Sequence, residues 1–99
     1  MAALKNGDVQ LADIYTTTPA IKDNGFVTLK DPKSLIAAQN IVPLISTKKA
    51  SATVKEVLNK VSAELTTDDL IAMNGENQGA NKTQPRAVAK KWLSEHPIK

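Results

Sequence analysis

A tyrosine and the hydroxyl residues after it are the side chains best suited to contact a small molecule. Tyr15 is the only tyrosine of the chain, and threonines occupy residues 16–18, directly before Pro19. A phenol ring offers an apolar face with a polar tip, and the hydroxyls add donors and acceptors. The same residues also fit a half-buried strand tyrosine followed by a threonine-rich turn, so both interpretations stay open.

Gln39 and Asn40 form a second polar pair, directly before the apolar residues 41–45. Binding sites are often built where apolar strands bring a few polar side chains to a shared edge. Together with the tyrosine and its threonines, the amide pair therefore predicts a binding site for a small molecule.

Catalytic and metal-binding patterns are weak in this chain. The single histidine, His96, directly precedes Pro97 and is interpreted as a solvated or capping residue. Asp68 and Asp69 are neighbours, and neighbours on a helix do not face the same way, so they fit a helix cap better than an acid–base pair. The chain has no cysteine and no phosphate-loop or GxSxG motif. We therefore expect no enzyme activity, no metal and no cofactor.

Length and composition suit one small domain with an aliphatic core, since 99 residues contain only 3% aromatic side chains. The net charge of +3 is a mild bias, and the lysine doublets at residues 48–49 and 90–91 are isolated. Nucleic-acid binding is therefore not expected, although weak binding through the lysines remains an alternative. No apolar run approaches the roughly 20 residues of a membrane helix, and the N-terminus lacks the pattern of a secretion signal.

The elements that must position these residues are about three strands followed by three helices. Runs rich in β-forming residues predict strands over residues 11–16, 26–29 and 41–46. A capping box of Thr53 and Glu56 predicts the first helix, with apolar side chains at helical spacing after it. Residues 66–69 predict the start of a second helix that ends at Gly75, and Pro85 that of a third with Trp92 in its core stripe. This order predicts an α/β arrangement.

Several segments, in this order and spacing, resemble one family: the C-terminal part of the substrate-binding proteins of glycine betaine/choline/carnitine (osmoprotectant) ABC importers. The segments are residues 3–17 (ALKNGDVQLADIYTT), 31–33 (DPK), 39–40 (QN) with 43–45 (PLI), 57–60 (VLNK) with 65–70 (LTTDDL) and 73–74 (MN), and 87–93 (AVAKKWL). The resemblance covers about residues 3–93.

The resemblance implies a portion of a two-lobed periplasmic-binding-protein (type II) fold, in which a hinge joins two α/β lobes around a ligand cleft. Residues 1–33 would form the end of the second lobe and the hinge return, with a crossing between lobes at about residues 31–39. Residues 34–99 would form the C-terminal part of the first lobe, or a single compact unit if the chain is expressed alone. The chain would then be a C-terminal portion of a longer protein.

The resemblance also implies the roles of the candidate residues. Tyr15 stands at the position of one tyrosine of an aromatic cage, and Thr16 and Thr17 match the small hydroxyl residues after it. Such a cage holds a quaternary ammonium through ring faces, because that cation cannot donate hydrogen bonds. Gln39 replaces a second cage tyrosine and Asn40 matches the family pattern. The expected solute is therefore a quaternary ammonium or a more polar compound.

The partners implied are a small solute and, in the intact protein, the ABC permease, with a location outside the cytoplasm. Surfaces meant for absent segments would be exposed, so self-association of the chain is a further expectation. The alternative function is a structural or protein-interaction domain without a small-ligand site.

Overall fold

The computed structural model of the chain describes residues 1–98, whose regular structure is helical. The helices are α1 (Ala2–Asn6), α2 (Ala20–Asp23), α3 (Ala52–Glu64), α4 (Thr67–Gln78) and α5 (Pro85–Glu95), with one 3₁₀ turn over Thr47–Lys49. Helices α4 and α5 are the two elements that pack extensively on each other. The core of the molecule is therefore at the C-terminal end.

Helix α4 begins where the sequence predicts it. The Thr66 hydroxyl accepts a hydrogen bond from the Asp69 amide (3.1 Å), and the Asp69 carboxylate accepts one from the Thr66 amide (2.8 Å). This reciprocal capping box satisfies two amides that the first turn leaves free. The predicted end at Gly75 is wrong, because the helix continues to Gln78 and the Gly79 amide still donates to the Gly75 carbonyl (2.8 Å).

Helix α5 confirms the prediction of a proline at its first turn and of a core tryptophan. Proline suits this position because the first amides of a helix have no partner within it. Val88 and Trp92 lie one turn apart and are only 4% and 6% exposed. They are the two buried hydrophobic residues among those that the structure describes.

Helix α3 is confirmed as a helix, but its predicted cap is wrong. Ser51, rather than Thr53, precedes the first turn, and its hydroxyl accepts a hydrogen bond from the Val54 amide (3.3 Å). Both hydroxyls suit this role, and the chain uses the earlier one, which adds residues to the helix. The apolar stripe of α3 is only partly covered, since Val54 and Val57 remain exposed.

The predicted α/β fold with about three strands is wrong for the residues described. Residues 11–16, 26–29 and 41–46 are irregular or extended, and no strand or sheet forms within residues 1–98. A strand is defined by hydrogen bonds to a neighbouring strand, whereas β propensity reflects only how well side chains suit a pleated surface. These segments have that composition without the pairing, so the expected strands are absent from the described residues.

The chain has an extended outline for its size. Its radius of gyration is 16.9 Å, whereas a compact domain of this length has about 13 Å. Its accessible surface is 8508 Å², against about 5,500 Å² for a folded monomer of this mass. The chain therefore exposes much more surface than a self-contained domain of the same mass does.

Candidate ligand-binding site

Tyr15 lies at the start of a tight turn. The Thr18 amide donates to the Tyr15 carbonyl (3.0 Å), and the Ile21 amide donates to the Thr18 carbonyl (3.2 Å). The first of these bonds spans four residues, as in a β-turn, and the second leads into α2. The backbone of Tyr15, Thr16 and Thr17 is thereby held in one turn.

A hydrogen bond attaches this turn to the C-terminal helices. The Asn74 side chain, on α4, donates from Nδ2 to the Thr17 carbonyl (3.0 Å). The bond joins residues 57 positions apart and is partly buried. It therefore fixes the Tyr15 turn to the best-packed part of the molecule.

The Tyr15 ring projects from this turn into solvent. The residue is 78% exposed, whereas Thr17, Thr18 and Pro19 behind it are half-buried. A tyrosine in a core would be largely covered, and its ring would be unavailable to a ligand. The turn thus presents an exposed tyrosine, and the neighbouring Thr16 is exposed as well.

Gln39 and Asn40 lie on a different part of the chain. They belong to residues 27–44, all of which are exposed, and neither side chain makes a hydrogen bond to another described residue. The structure therefore groups Tyr15, Thr16 and Thr17 on one turn. Gln39 and Asn40 remain on a separate exposed segment, so the chain alone does not form a closed site.

A carboxylate organises the loop before this amide pair. Asp31 Oδ2 accepts a hydrogen bond from the Ile36 amide (2.9 Å). This bond, with a second from the Leu35 amide, holds the pKa of Asp31 below its usual value. The loop also contains Ser34 with a positive φ of 49°. Asp31 thus fixes where the chain turns before residues 35–44.

A small cavity between α4 and α5 is a feature that the sequence reasoning missed. Its volume is about 80 Å³, and its lining includes Asp69, Met73, Trp92 and His96. The His96 ring stacks on the Trp92 indole, with centroids 4.5 Å apart and planes 14° from parallel. The sequence did contain a signal for this stacking: Trp92 and His96 are four residues apart, and such residues are neighbours on one helix face.

Charged groups surround this cavity. Lys91 Nζ lies 2.6 Å from Glu76 Oε1, and the hydrogen bond and charge of Glu76 raise the pKa of Lys91. Hydrogen bonds from Thr66 hold the pKa of Asp69 below its usual value, and the nearby Trp92 indole and His96 lower it further. The indole Nε1 itself is buried without an acceptor at hydrogen-bonding distance.

Two cavities were compared with the Tyr15 turn, and neither is a better candidate for the ligand-binding site. Ligand pockets usually enclose about 300–1,000 Å³, far above the 80 Å³ between α4 and α5. A second cavity of about 290 Å³ lies beside Lys60, Glu64 and Ile98, without an aromatic ring in its lining. Among residues 1–98, no cluster of three or more acidic, histidine or cysteine side chains could hold a metal ion.

Helices of the described region are also too short or too polar to cross a lipid bilayer.

Comparison with known protein families places the chain among the substrate-binding domains of ABC transport systems, a class that is non-enzymatic and typically works outside the cytoplasm. Residues 1–95 match the family described as the substrate binding domain of the ABC-type glycine betaine transport system, and the chain belongs to that family. The family resemblance expected from the sequence is thus confirmed. No solved structure matches the chain.

A substrate-binding domain of this class works with a small solute and with a permease. The membership therefore supports a transport role for the chain. It does not by itself identify the residues that contact the solute.

Proposed function

We propose that the chain is a C-terminal portion of an osmoprotectant-binding protein and that Tyr15, Thr16, Thr17, Gln39 and Asn40 contact the solute. The solute lies in a cleft between two lobes, to which residues 1–33 and residues 34–99 contribute separately. The family match supports the solute class, and the remaining walls of the cleft come from further polypeptide. In this form the intact protein works outside the cytoplasm and delivers its solute to an ABC permease.

The observation that carries this proposal is the exposed Tyr15 on a turn that is hydrogen-bonded to α4. Tyr15 is 78% exposed, and the turn is bonded to α4 through Asn74. A fixed and uncovered aromatic face is what a quaternary ammonium requires, because ring faces and dispersion are its available attractions. Rigid positioning also lowers the entropy that is lost on binding.

Gln39 and Asn40 adapt the site to the polar part of a solute. Both side chains have free amide donors and acceptors within the described structure. Hydrogen bonds from such groups discriminate strongly between solutes, because an unmatched buried amide is costly. A solute with both a cationic and a polar end would use the ring and the amides together.

Calorimetric titration tests this proposal. The sample is the whole protein as its source cell produces it. Glycine betaine, choline and an uncharged polar solute are titrated into the unmodified protein and into Tyr15→Ala and Tyr15→Phe. We expect Tyr15→Ala to weaken binding by up to about 30-fold, equivalent to about 2 kcal/mol for a desolvated ring contact. Tyr15→Phe retains the ring and should bind nearly as well as the unmodified protein.

Equal affinities for the unmodified protein and Tyr15→Ala would remove Tyr15 from the site. Absence of binding for all three solutes would instead favour the second candidate function, a protein-interaction domain. The specific observation behind that candidate is the large exposed apolar surface of residues 27–44. The chain's own copy is a further partner that such a surface allows.

A further inference from the structure

One peptide unit of the Tyr15 turn is held by hydrogen bonds at both of its ends. The unit that joins Thr17 to Thr18 carries the Thr17 carbonyl and the Thr18 amide. Its carbonyl accepts a hydrogen bond from Asn74 Nδ2 on α4 (3.0 Å), and its amide donates to the Tyr15 carbonyl (3.0 Å). A peptide unit is planar and resists rotation, so the two bonds connect α4 to the backbone of Tyr15 through one rigid group.

We infer that Asn74 is a positioning residue for solute binding, which acts on Tyr15 through this peptide unit and does not itself touch the solute. The inference rests on the proposed role of Tyr15 as a solute contact. It goes beyond that role because it assigns the placement of the Tyr15 turn to a side chain of α4.

The C-terminal helices provide a firm base for this hydrogen bond. Asn74 is half-buried on α4, and α4 packs on α5. The start of α4 is fixed by the capping box of Thr66 and Asp69, and Glu76 Oε1 lies 2.6 Å from Lys91 Nζ on α5. A side chain that is already confined loses less entropy when it forms a bond. The Asn74 amide is therefore well placed to hold the turn.

Within residues 1–98, no other side-chain hydrogen bond ties this turn to a distant part of the chain. The others join residues at most 15 positions apart, whereas the Asn74 bond spans 57. Tyr15 is 78% exposed, so packing of its side chain adds little to the placement of the turn. Loss of the Asn74 donor would leave the partly buried Thr17 carbonyl without this partner, which is unfavourable.

The placement of the turn matters because a cation–π contact depends on where the ring lies. The attraction requires the cation over the ring face, within about 6 Å of the ring centroid. A ring on a mobile turn must be ordered when the solute binds, and that ordering lowers the affinity. A turn that is held in place before the solute arrives therefore strengthens binding without any contact between Asn74 and the solute.

Calorimetric titration of the whole protein with glycine betaine and with choline tests this inference. The variants are Asn74→Ala, Tyr15→Ala and the double variant. Alanine is the best helix former, so Asn74→Ala removes the donor without weakening α4 itself. We expect Asn74→Ala to bind about fivefold more weakly than the unmodified protein, equivalent to about 1 kcal/mol. In the Tyr15→Ala background the same substitution should change the affinity less than about twofold, because its effect passes through Tyr15.

Asn77→Ala is the matched control, because Asn77 Nδ2 also donates from α4 to a backbone carbonyl, that of Thr83 (2.9 Å). Both bonds are partly buried, so thermal unfolding should show similar small losses of stability for Asn74→Ala and Asn77→Ala. Asn77→Ala should nevertheless bind the solute as tightly as the unmodified protein does. A purely structural role of Asn74 would not separate the two variants in this way.

Unchanged affinity of Asn74→Ala, together with weaker binding by Tyr15→Ala, would overturn this inference and leave the proposed role of Tyr15 intact. Equal losses of affinity in Asn74→Ala and Asn77→Ala would also overturn it, as would an undiminished effect of Asn74→Ala in the Tyr15→Ala background. Unchanged affinity of Tyr15→Ala, or no binding by the unmodified protein, would overturn the proposed function and this inference together.

Discussion

The α4–α5 pair and the exposed apolar segment, defined as residues 27–44, differ in burial, although the segment is at least as rich in apolar residues. The helix pair buries Val88 and Trp92, whereas every residue of the segment is exposed. A helix satisfies its backbone hydrogen bonds within itself, so a few apolar side chains are enough to pack two helices. An extended segment has no such internal bonds, so its backbone groups pair with a neighbouring strand or with water.

Removing the Trp92 side chain should have the largest effect, because it would reduce the burial that distinguishes the α4–α5 pair from residues 27–44. Trp92 is 6% exposed and shares the small interior with Val88. We expect Trp92→Ala to destabilise the α4–α5 pair by about 3–5 kcal/mol, the usual range for a buried aromatic. Hydrogen exchange of α4 and α5 amides measures this loss, while the exchange of residues 27–44 should remain unchanged.

Leu93→Ala is the control for this prediction, because Leu93 is adjacent in α5 but 45% exposed. We expect a loss below about 1 kcal/mol, as is usual for a partly exposed position. Similar losses for the two variants would mean that Trp92 does not hold the pair together.

Sequence reasoning succeeded for the starts of α4 and α5, where the signal is local. The capping residues Thr66 and Asp69 lie within one turn, and Pro85 marks α5 directly. At α3 two hydroxyls were available, and propensity did not decide between Ser51 and Thr53. The ends of helices are less well marked, as the continuation of α4 beyond Gly75 shows.

The strands and the site geometry depended on contacts between distant residues, which local patterns do not report. Aliphatic runs at residues 11–16, 26–29 and 41–46 suit strands, but nothing in their composition says whether a neighbour exists. Tyr15 could be selected as a site residue from its type and surroundings. The bond from Asn74 that holds its turn spans 57 positions and had no sequence signal.

The bond between Asn74 and the Thr17 carbonyl is the next place to test, because it joins the α4–α5 pair to the Tyr15 turn, which lies outside that pair. Asn74→Ala should cost about 1 kcal/mol, the usual net value of one hydrogen bond. We expect faster hydrogen exchange at residues 15–18, with little change in the α4–α5 core.

Asn77→Ala is the matched control, because the Asn77 side chain also donates to a backbone carbonyl, that of Thr83, at 2.9 Å. This bond lies within the C-terminal region, so its loss should leave residues 15–18 unaffected. Faster exchange of the Tyr15 turn in both variants would show that the effect is a general loosening.

The smallest effect that we expect concerns the pH dependence of α4, through the Asp69 carboxylate in its capping box. Hydrogen bonds from Thr66, followed by the nearby Trp92 and His96, hold the pKa of Asp69 below its usual value of 3.8. The folded chain binds this proton more weakly than the unfolded chain does. The stabilisation that the Asp69 carboxylate gives to the folded chain is therefore fully present above the unfolded pKa. It is lost as the pH falls below 3.8 and passes through the lowered pKa.

Helicity measured by circular dichroism from pH 6 to pH 2 should therefore fall in the acid range for the unmodified chain, and Asp69→Asn should remove that part of the transition. Asp68→Asn is the control, since Asp68 precedes Asp69 in the first turn but is not part of the capping box. An identical acid transition in all three proteins would show that the capping box does not control the acid stability of α4. The acid stability of the helix pair would then rest on other contacts, such as the packing of Trp92 and Val88.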